Sequence, residues 1–319
     1  MFKYRYLALF LLLAASAAGA ADYPVRGVRF VVAYAPGGSN DILARALSQR
    51  LTEVWKQPVV VDNRAGGNTI IGTDVVAKAA PDGYTLLVTP PAFVINPGLV
   101  KKLPDDWLRD FTPISLLNIN PQVLVVNPSV PAKTVKDLIA LARRQPDRLN
   151  YSSSGSGGAN HLAGELFKSM AGLKIAHIPY KGNAPSLTAL VGGEVDFCFN
   201  SLPSALPLIR AGRLRALAMT GRQRSVVLPE LPTIDESGLK GYDAVAWTGL
   251  SAPAKTPPPI VEAINGAVAK IINSPEFRER LKAEGSDPVG STPERFAQFL
   301  EEEITKWRKV IEFAKVTPE

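Results

Sequence analysis

Twice in this chain a strand-like apolar run empties into a loop of Gly, Ser and Asn that opens a helix. The first copy is Val28-Arg29-Phe30-Val31-Val32-Ala33, then Ala35-Pro36-Gly37-Gly38-Ser39-Asn40-Asp41, then the apolar-periodic stretch from Ile42 to Trp55. The second is Leu149-Asn150-Tyr151, then Ser152 to Asn160, then His161 to Met170. Strand, glycine turn and helix in that order begin a βαβ unit, whose strands lie parallel with the helix packed across them. The same loops constrain chemistry. Each leaves bare backbone N–H groups at a helix N-terminus, where they hold an anion without any basic side chain. Two such loops in one chain point to two lobes that close on one small acidic molecule.

Both halves continue alike. After the first helix come strand Pro58 to Val61, loop Asn63 to Thr69, a short helix over 70–79, the turn Pro81-Asp82-Gly83 and strand Tyr84 to Val88. After the second come strand Lys174 to Ile178, loop Tyr180-Lys181-Gly182-Asn183, a helix over 185–192 and a strand over 195–199. Each half is therefore βαβαβ, which predicts a parallel sheet with its ligand beyond the carboxyl ends of the strands, where these loops lie. Thr112 to Leu117, Val123 to Val126 and Leu214 to Met219 are further strand-like runs, and Ala244 to Leu250 reads as a return crossing before the Pro-rich stop at Pro253 to Pro259. The C-terminal segment is helical, with Leu300, Ile304, Trp307, Ile311 and Ala314 on one apolar face. It is expected to pack back on the first lobe and make that lobe discontinuous: 21–121 with 247–319, against 122–246 for the second lobe. Two crossing strands then form a hinge.

The first twenty residues stand apart. Lys3 and Arg5 precede the apolar stretch Leu7 to Ala15, and Ala18-Gly19-Ala20 offers a small-x-small cleavage site, so residues 1–20 read as a Sec-type signal peptide with export to the periplasm. The apolar stretch is short for a membrane span, no later segment approaches about 18 apolar residues, and no Cys near the cut suits a lipid anchor. Without Lys3 and Arg5 the charge falls from 36 basic residues to 34 against 29 acidic ones, a net of +5. The bases are scattered and lack interleaved aromatics, so no nucleic-acid partner is expected. Cys198, the single cysteine, sits in a strand-like run and reads as a buried small apolar residue.

Each loop has a plain alternative. The loop at 36–41 is also an ordinary helix start, with Ser39, Asn40 or Asp41 as N-cap. The loop at 152–160 carries little packing value and favours ligand contact; Gly66 to Thr69 stands between the two. Enzyme signatures fail on inspection. Asn160 stands where a dinucleotide loop needs its third Gly, and neither a Gly-Lys-Ser/Thr phosphate loop nor a Gly-x-Ser-x-Gly elbow occurs. With only His161 and His177 a His-rich metal site is out, and neither a metal nor a cofactor is expected. His161 reads as a ligand contact from a helix start or as a cap; Tyr34, Phe93, Tyr180 and Trp247 read as cleft or core aromatics. Ala92 and Ser201 complete the candidate ligand contacts. No basic, nucleophilic or metal-binding side chain accompanies the loops.

The chain resembles the Bug (TctC-like) family of tripartite tricarboxylate transporter substrate-binding proteins. The matching stretches run almost end to end: Tyr34-Ala35-Pro36-Gly37-Gly38 with Asp41 and Ala44-Arg45, Val61-Asp62-Asn63-Arg64 with Gly66-Gly67, and Asp82-Gly83-Tyr84-Thr85-Leu86-Leu87. Asp110-Phe111-Thr112-Pro113-Ile114, His161-Leu162-Ala163-Gly164-Glu165, Pro179-Tyr180-Lys181-Gly182 and Gly212 to Ala218 follow, then Leu231 to Gly238 and Trp247-Thr248-Gly249-Leu250 with Ala252-Pro253. The resemblance implies an α/β fold of the type II periplasmic binding protein kind, a "Venus flytrap" of two βαβ lobes joined by two crossing strands. It implies a monomeric, non-enzymatic carrier of a small organic acid to a permease with TctA- and TctB-like subunits. It also implies ligand contacts at Gly38, Ser39, Asn40 and Asp41, at Gly67, Asn68 and Thr69, and along Ser154 to Asn160, hence Ser154, Ser156, Gly157, Gly158 and Asn160. Asp41 is expected to cap its helix or hold a bridging water. Two departures bear on ligand identity: Asn68-Thr69-Ile70-Ile71-Gly72 replaces a Gly-rich continuation, and the 156–160 stretch differs from the common pattern. A sensor passing a carboxylate signal to a membrane kinase, and a secreted α/β enzyme acting on an organic acid with Asp41 or His161 as base, are the rival functions.

Overall fold

The computed structural model describes residues 23–100, 103 and 109–316; the expected export signal at 1–20 lies outside them. The chain opens with β1 (Val28–Val32), α1 (Ser39–Trp55), β2 (Val59–Asn63), α2 (Ile70–Ala77) and β3 (Thr85–Thr89). Val28, Phe30, Val31 and Val32 of β1 are all buried, the near-continuous apolar run of a strand covered on both faces. Leu43, Leu47 and Leu51 place one face of α1 on that sheet at helical spacing. Then come α3 (Ala92–Leu99), β4 (Phe111–Asn120), β5 (Gln122–Val126) and α4 (Val135–Arg144), whose start is fixed by a Thr134–Asp137 capping box.

The second half repeats the opening with β6 (Asn150–Ser153), α5 (Ala159–Ala171), β7 (Ala176–Pro179), α6 (Asn183–Gly192) and β8 (Phe197–Ser201). It continues through α7 (Leu202–Arg210) and β9 (Arg215–Met219), returns on β10 (Ala246–Pro253), and ends with α8 (Pro258–Ile272), α9 (Pro275–Ala283), β11 (Asp287–Pro288) and α10 (Pro293–Ala314).

Two sheets result, ordered β11-β4-β10-β3-β1-β2 and β7-β6-β8-β5-β9. The repeated units are parallel as expected, β1 with β2 and β3, and β6 with β7 and β8. The sheets as wholes are mixed, because the crossing segments join them antiparallel: β10 against β3 and β4, and β5 against β8 and β9. The chain changes sheet between Asn120 and Gln122 and again before Ala246. There Ala244 donates to Thr220 and Thr220 to Gln122, which ties the two crossings together.

Helix α10 packs on β4 and α3 of the first lobe and also on α5 of the second. Its buried face is Phe296, Leu300, Glu303 and Trp307, with Ile304 and Ile311 partly covered. Gly249 makes this close approach possible, since a Cβ there would lie 2.1 Å from Phe296 Cζ. Trp247, a candidate cleft aromatic, is instead fully buried, edge-on to Phe296 and Phe299, with its indole N–H on Glu303 at 2.8 Å. Phe93 likewise packs edge-on to Phe111 in the core. In both, an apolar ring on a strand or helix face turned inward won over proximity to a loop. Among the described residues no helix is long and apolar enough to cross a membrane.

Candidate functional site

A cavity of about 470 Å³ lies between the lobes at the ends of the parallel strands. The first lobe supplies Ala33 and Tyr34 after β1, Gly66 to Ile70 before α2, and Leu99 and Val100 after α3. The second supplies Ser154 to Gly157, His161, and Pro179 to Lys181 after β7.

The most constrained wall is the turn before α2. Gly67, Asn68 and Thr69 all have left-handed backbone, with φ of 54°, 52° and 71°, and Ile70 N–H closes the turn on Gly67 O at 3.0 Å. Left-handed backbone costs an L-residue roughly 1–2 kcal/mol, and a β-branched Thr is a poor occupant. Asn96, fully buried in α3, compensates. It accepts from Asn68 Nδ2 at 2.5 Å and donates to Asn68 O at 2.9 Å, so it clamps both side chain and backbone of the strained residue. Thr69 is 2 % exposed, and its hydroxyl has no hydrogen-bond partner among the described residues. A buried polar atom without a partner is costly, and backbone strain held in place by neighbours clusters at ligand clamps and active sites. Asn96 was not singled out in the sequence, although one polar residue inside Phe93-Val94-Ile95-Asn96 was a signal.

The Ser/Gly loop faces this turn. A Cβ on Gly157 would stand 2.7 Å from Asn68 Nδ2 and 2.8 Å from Asn96 Oδ1; one on Gly155 would touch Asn68 Oδ1 at 3.4 Å. Gly157 N–H donates to His161 Nδ1 at 3.0 Å, so His161 holds the loop from below through an unprotonated ring nitrogen. That ring stacks on His177 with centroids 4.1 Å apart, and His177 Nε2 meets Ser153 Oγ at 2.7 Å. Asn160 does not line the cavity: its side chain accepts from Ser154 and donates to Phe199 O at 2.7 Å each, shaping the loop from behind. Gly158 is the N-cap of α5, extended at φ −73°.

The lobes touch beside the cavity. Ala35 N–H donates to Lys181 O at 3.0 Å, Tyr34 hydrogen-bonds Ser154, and Asn183 Nδ2 reaches Ser39 Oγ at 3.4 Å and Ser201 Oγ at 3.0 Å. Gly38, Ser39 and Ser201 therefore lie at this seam, and neither they nor Asn40 line the cavity; the side-chain amide nitrogen of Asn40 is buried without a partner among the described residues. Burial pushes the Tyr34 hydroxyl pKa up, and the Ser154 bond offsets this only in part, so the phenol stays protonated. Ala92 is fully buried at the start of α3.

Asp41 turns away from the cavity. Its carboxylate accepts from Gly37 N–H at 2.9 Å, Arg45 Nε at 3.0 Å and Asn63 Nδ2 at 3.0 Å. Burial raises its pKa, but Arg45, the Gly37 amide and Asn63 together outweigh burial and hold the carboxyl below its usual range. Asn63 also donates to Tyr34 O at 3.1 Å, and Asp62 pairs with Arg29 and Arg64. The Asp-Asn-Arg motif thus braces the loop after β1.

One expectation is corrected. A basic residue does accompany the loops: Lys181 lines the cavity. The parallel register Ser153↔Pro179 explains it, because it carries the residues just past β7 alongside the start of the Ser/Gly loop. The motif Pro179-Tyr180-Lys181-Gly182 contained the signal; only the register gives it a place.

Comparison with known proteins accords with this geometry. The family model described as "Tripartite tricarboxylate transporter family receptor" matches residues 43–316. A solved structure of R. palustris Rpa4515 with adipate is 39% identical, covers 93% of this chain and 100% of its own, and superposes with a TM-score of 0.91. The periplasmic binding protein BugD is 32% identical with the same coverage and a TM-score of 0.89. MatC (Rpa3494) from Rhodopseudomonas palustris, solved with bound malate, is 33% identical over 91% of this chain and 100% of its own, with a TM-score of 0.86. With its two lobes, its mixed sheets and its cavity between them, this chain belongs to the tripartite tricarboxylate transporter receptor (TctC) family of periplasmic solute-binding proteins.

Proposed function

We propose that this protein captures a small carboxylate between its lobes in the periplasm and delivers it to a permease with TctA- and TctB-like subunits. The observation that carries this is the strained Gly67–Thr69 turn, whose buried Thr69 hydroxyl has no partner among the described residues and which lines a cavity sized for a small molecule. Successive amides in such a turn form an anion-binding concavity. Adipate and malate in the relatives' structures support a carboxylate as the occupant. In this reading the lobes divide at 121/122 and 246/247, close to the two points where the chain changes sheet, after Asn120 and before Ala246. Binding without chemistry suits the site, since Asp41 is locked in its own network and His161 Nδ1 is occupied by Gly157 N–H.

A thermal-shift screen over mono-, di- and tricarboxylates, aromatic acids and acidic amino acids tests the proposal. A ligand at a hundred times its Kd stabilises the fold by about 2.7 kcal/mol, which raises the melting temperature by several degrees. A panel in which no acid moves the melting temperature overturns the reading.

A further inference from the structure

We propose that His161 makes the cleft pH-sensitive: its neutral ring holds the Ser/Gly loop in the ligand-binding position, and a proton on that ring releases the loop and weakens ligand binding. This rests on the carboxylate reading above and adds the regulation of the same site. His161 acts through Gly157, so it is a positioning residue.

The hydrogen bonds decide where the proton goes. Gly157 N–H donates to His161 Nδ1 at 3.0 Å, which requires a bare lone pair there. The neutral ring therefore carries its hydrogen on Nε2, the nitrogen 3.9 Å from Glu165 Oε1. An added proton can go only to Nδ1, where it meets the Gly157 N–H, donor against donor. The ring has little room to turn away. His161 is 3 % exposed and stacks on His177 with centroids 4.1 Å apart, and His177 in turn lies 4.9 Å from the Tyr151 ring. Gly157 cannot yield towards the other lobe either, since a Cβ on it would stand 2.7 Å from Asn68 Nδ2 and 2.8 Å from Asn96 Oδ1. The loop backs out of the cleft instead, and the cavity loses that wall.

The charged groups around the ring set the balance. On α5 the Glu165 carboxylate faces Nε2, but Lys168 Nζ and the Tyr151 hydroxyl of β6 already hold it, each at 2.7 Å. On β7 the stacked His177 opposes a second positive charge. At the end of α10, Lys315 shares a surface cavity with Glu165, Lys168 and Lys174, and Lys181 lines the ligand cavity with His161. The carboxylate that favours a charged His161 is thus shared among several cations. His177 differs in kind. Its Nε2 meets Ser153 Oγ at 2.7 Å, and that hydroxyl can accept from a charged ring while donating to Gly155 O at 3.1 Å, so a proton on His177 breaks no bond to the loop. A charged His161 also attracts an anion, but Glu165 beside it screens that pull, whereas the lost bond to Gly157 is direct. The ligand-bound form therefore holds fewer protons than the free one, and acid opposes binding.

The test is calorimetric titration of wild type, His161→Asn and His177→Gln with whichever of adipate, malate, citrate, benzoate and glutamate binds. It is run at about pH 7.5 and about pH 5.5, on either side of an ordinary histidine's value of about 6.5. Asn places its Oδ1 where Nδ1 stood, so it accepts the Gly157 N–H but takes no proton. The readout is each protein's own ratio of Kd at the two pH values; protonation of the acid itself enters every ratio equally and cancels. The expected ratio for wild type exceeds that of His161→Asn about tenfold, the scale of a buried donor that loses its acceptor, and His177→Gln keeps a ratio at least as large as wild type. In the free protein the ¹H–¹⁵N signal of Gly157 should move between the two pH values in wild type and stay in place in His161→Asn. Equal ratios in wild type and His161→Asn, tighter binding by wild type at the acid pH, or a ratio that falls in His177→Gln and not in His161→Asn overturns the inference. Each of these leaves the carboxylate reading intact, because an acid still binds; a wild type that binds none of the acids at either pH removes both. A wild-type Gly157 signal that does not move overturns the inference without requiring any variant to fold.

Discussion

Replacing Gly157 with Ala separates backbone strain from lobe contact. Gly157 has φ of 77°, and an added Cβ would stand 2.7 Å from Asn68 Nδ2, 2.8 Å from Asn96 Oδ1 and 3.2 Å from Leu99 Cδ1, all on the opposite lobe. Left-handed backbone costs Ala about 1–2 kcal/mol in any lobe arrangement. The contact costs energy only when the lobes are closed. Asn96 clamps the Asn68 amide, so that side chain cannot swing aside cheaply, and overpacking of this kind costs about 1–3 kcal/mol. Gly172 is the matched control: it ends α5 at φ of 63°, and nothing lies within 4 Å of its would-be Cβ. Gly157→Ala and Gly172→Ala should therefore lower the melting temperature of the free protein alike, by about 2–4 °C per kcal/mol or somewhat less for a chain of this size. Titrated with the tightest acid from the screen, Gly172→Ala should keep the wild-type Kd, while Gly157→Ala weakens it by about 5- to 150-fold. Equal Kd values for the two variants would refute the claim that the Ser/Gly loop closes on the strained turn.

Two further substitutions address the frame around the cleft. Asn96→Ala removes the clamp on Asn68 and should cost about 1–3 kcal/mol in urea denaturation, with weaker ligand binding; a loss below about 0.5 kcal/mol would place the strain elsewhere. Asp41 has a depressed carboxyl pKa, so its stabilisation is complete above its unfolded value of about 3.9 and fades as pH falls through the lower folded value. Asp41→Asn should melt below wild type at pH 7, with the gap closing below about pH 4. A gap that does not narrow on acidification would show that Asp41 contributes packing and not charge.

The repeated strand–loop–helix units were legible because each signal is local: apolar runs, glycine breaks and helical spacing all lie within about fifteen residues. The same locality explains the misses. Sheet direction at β4, β5 and β10 depends on where a distant crossing returns, so parallel units sit inside mixed sheets. Trp247 reads from sequence as core or cleft, its place beside a crossing counting for the cleft; α10 decides for the core through a contact with Phe296 that sequence separation hides. Asn96 and Lys181 matter through partners 28 and 146 positions away, Asn68 and Ala35. The expected side-chain cap at Ser39, Asn40 or Asp41 is not formed: Gly38 is the N-cap without a side-chain bond, and Asp41, inside the first turn, reaches back to Gly37 N–H four residues earlier.

The distribution of apolar and polar contacts between the lobes indicates how the cleft should open. On the α10 side one apolar cluster runs through both sheets, joining Val31, Leu87 and Phe93 to Leu124, Phe197 and Phe199, with Trp247, Phe296 and Trp307 over it. On the cavity side the seam is a few hydrogen bonds: Ala35 to Lys181, Tyr34 to Ser154 and Asn183 to Ser39. Separating the apolar side would expose hydrocarbon at about 25 cal/mol per Å². Each seam hydrogen bond can be exchanged for water at a net cost of only about 0.5–1.5 kcal/mol. Rotation about the crossings next to the apolar side, with the seam parting, is therefore the cheaper motion. A seam that weak leaves open and closed states close in energy, and a ligand of modest differential affinity then decides between them. Thr69 of the strained turn and the Ser/Gly loop line the same cavity from opposite lobes, so an acid that touches both at once is expected to favour closure, whereas a contact to one lobe alone would not.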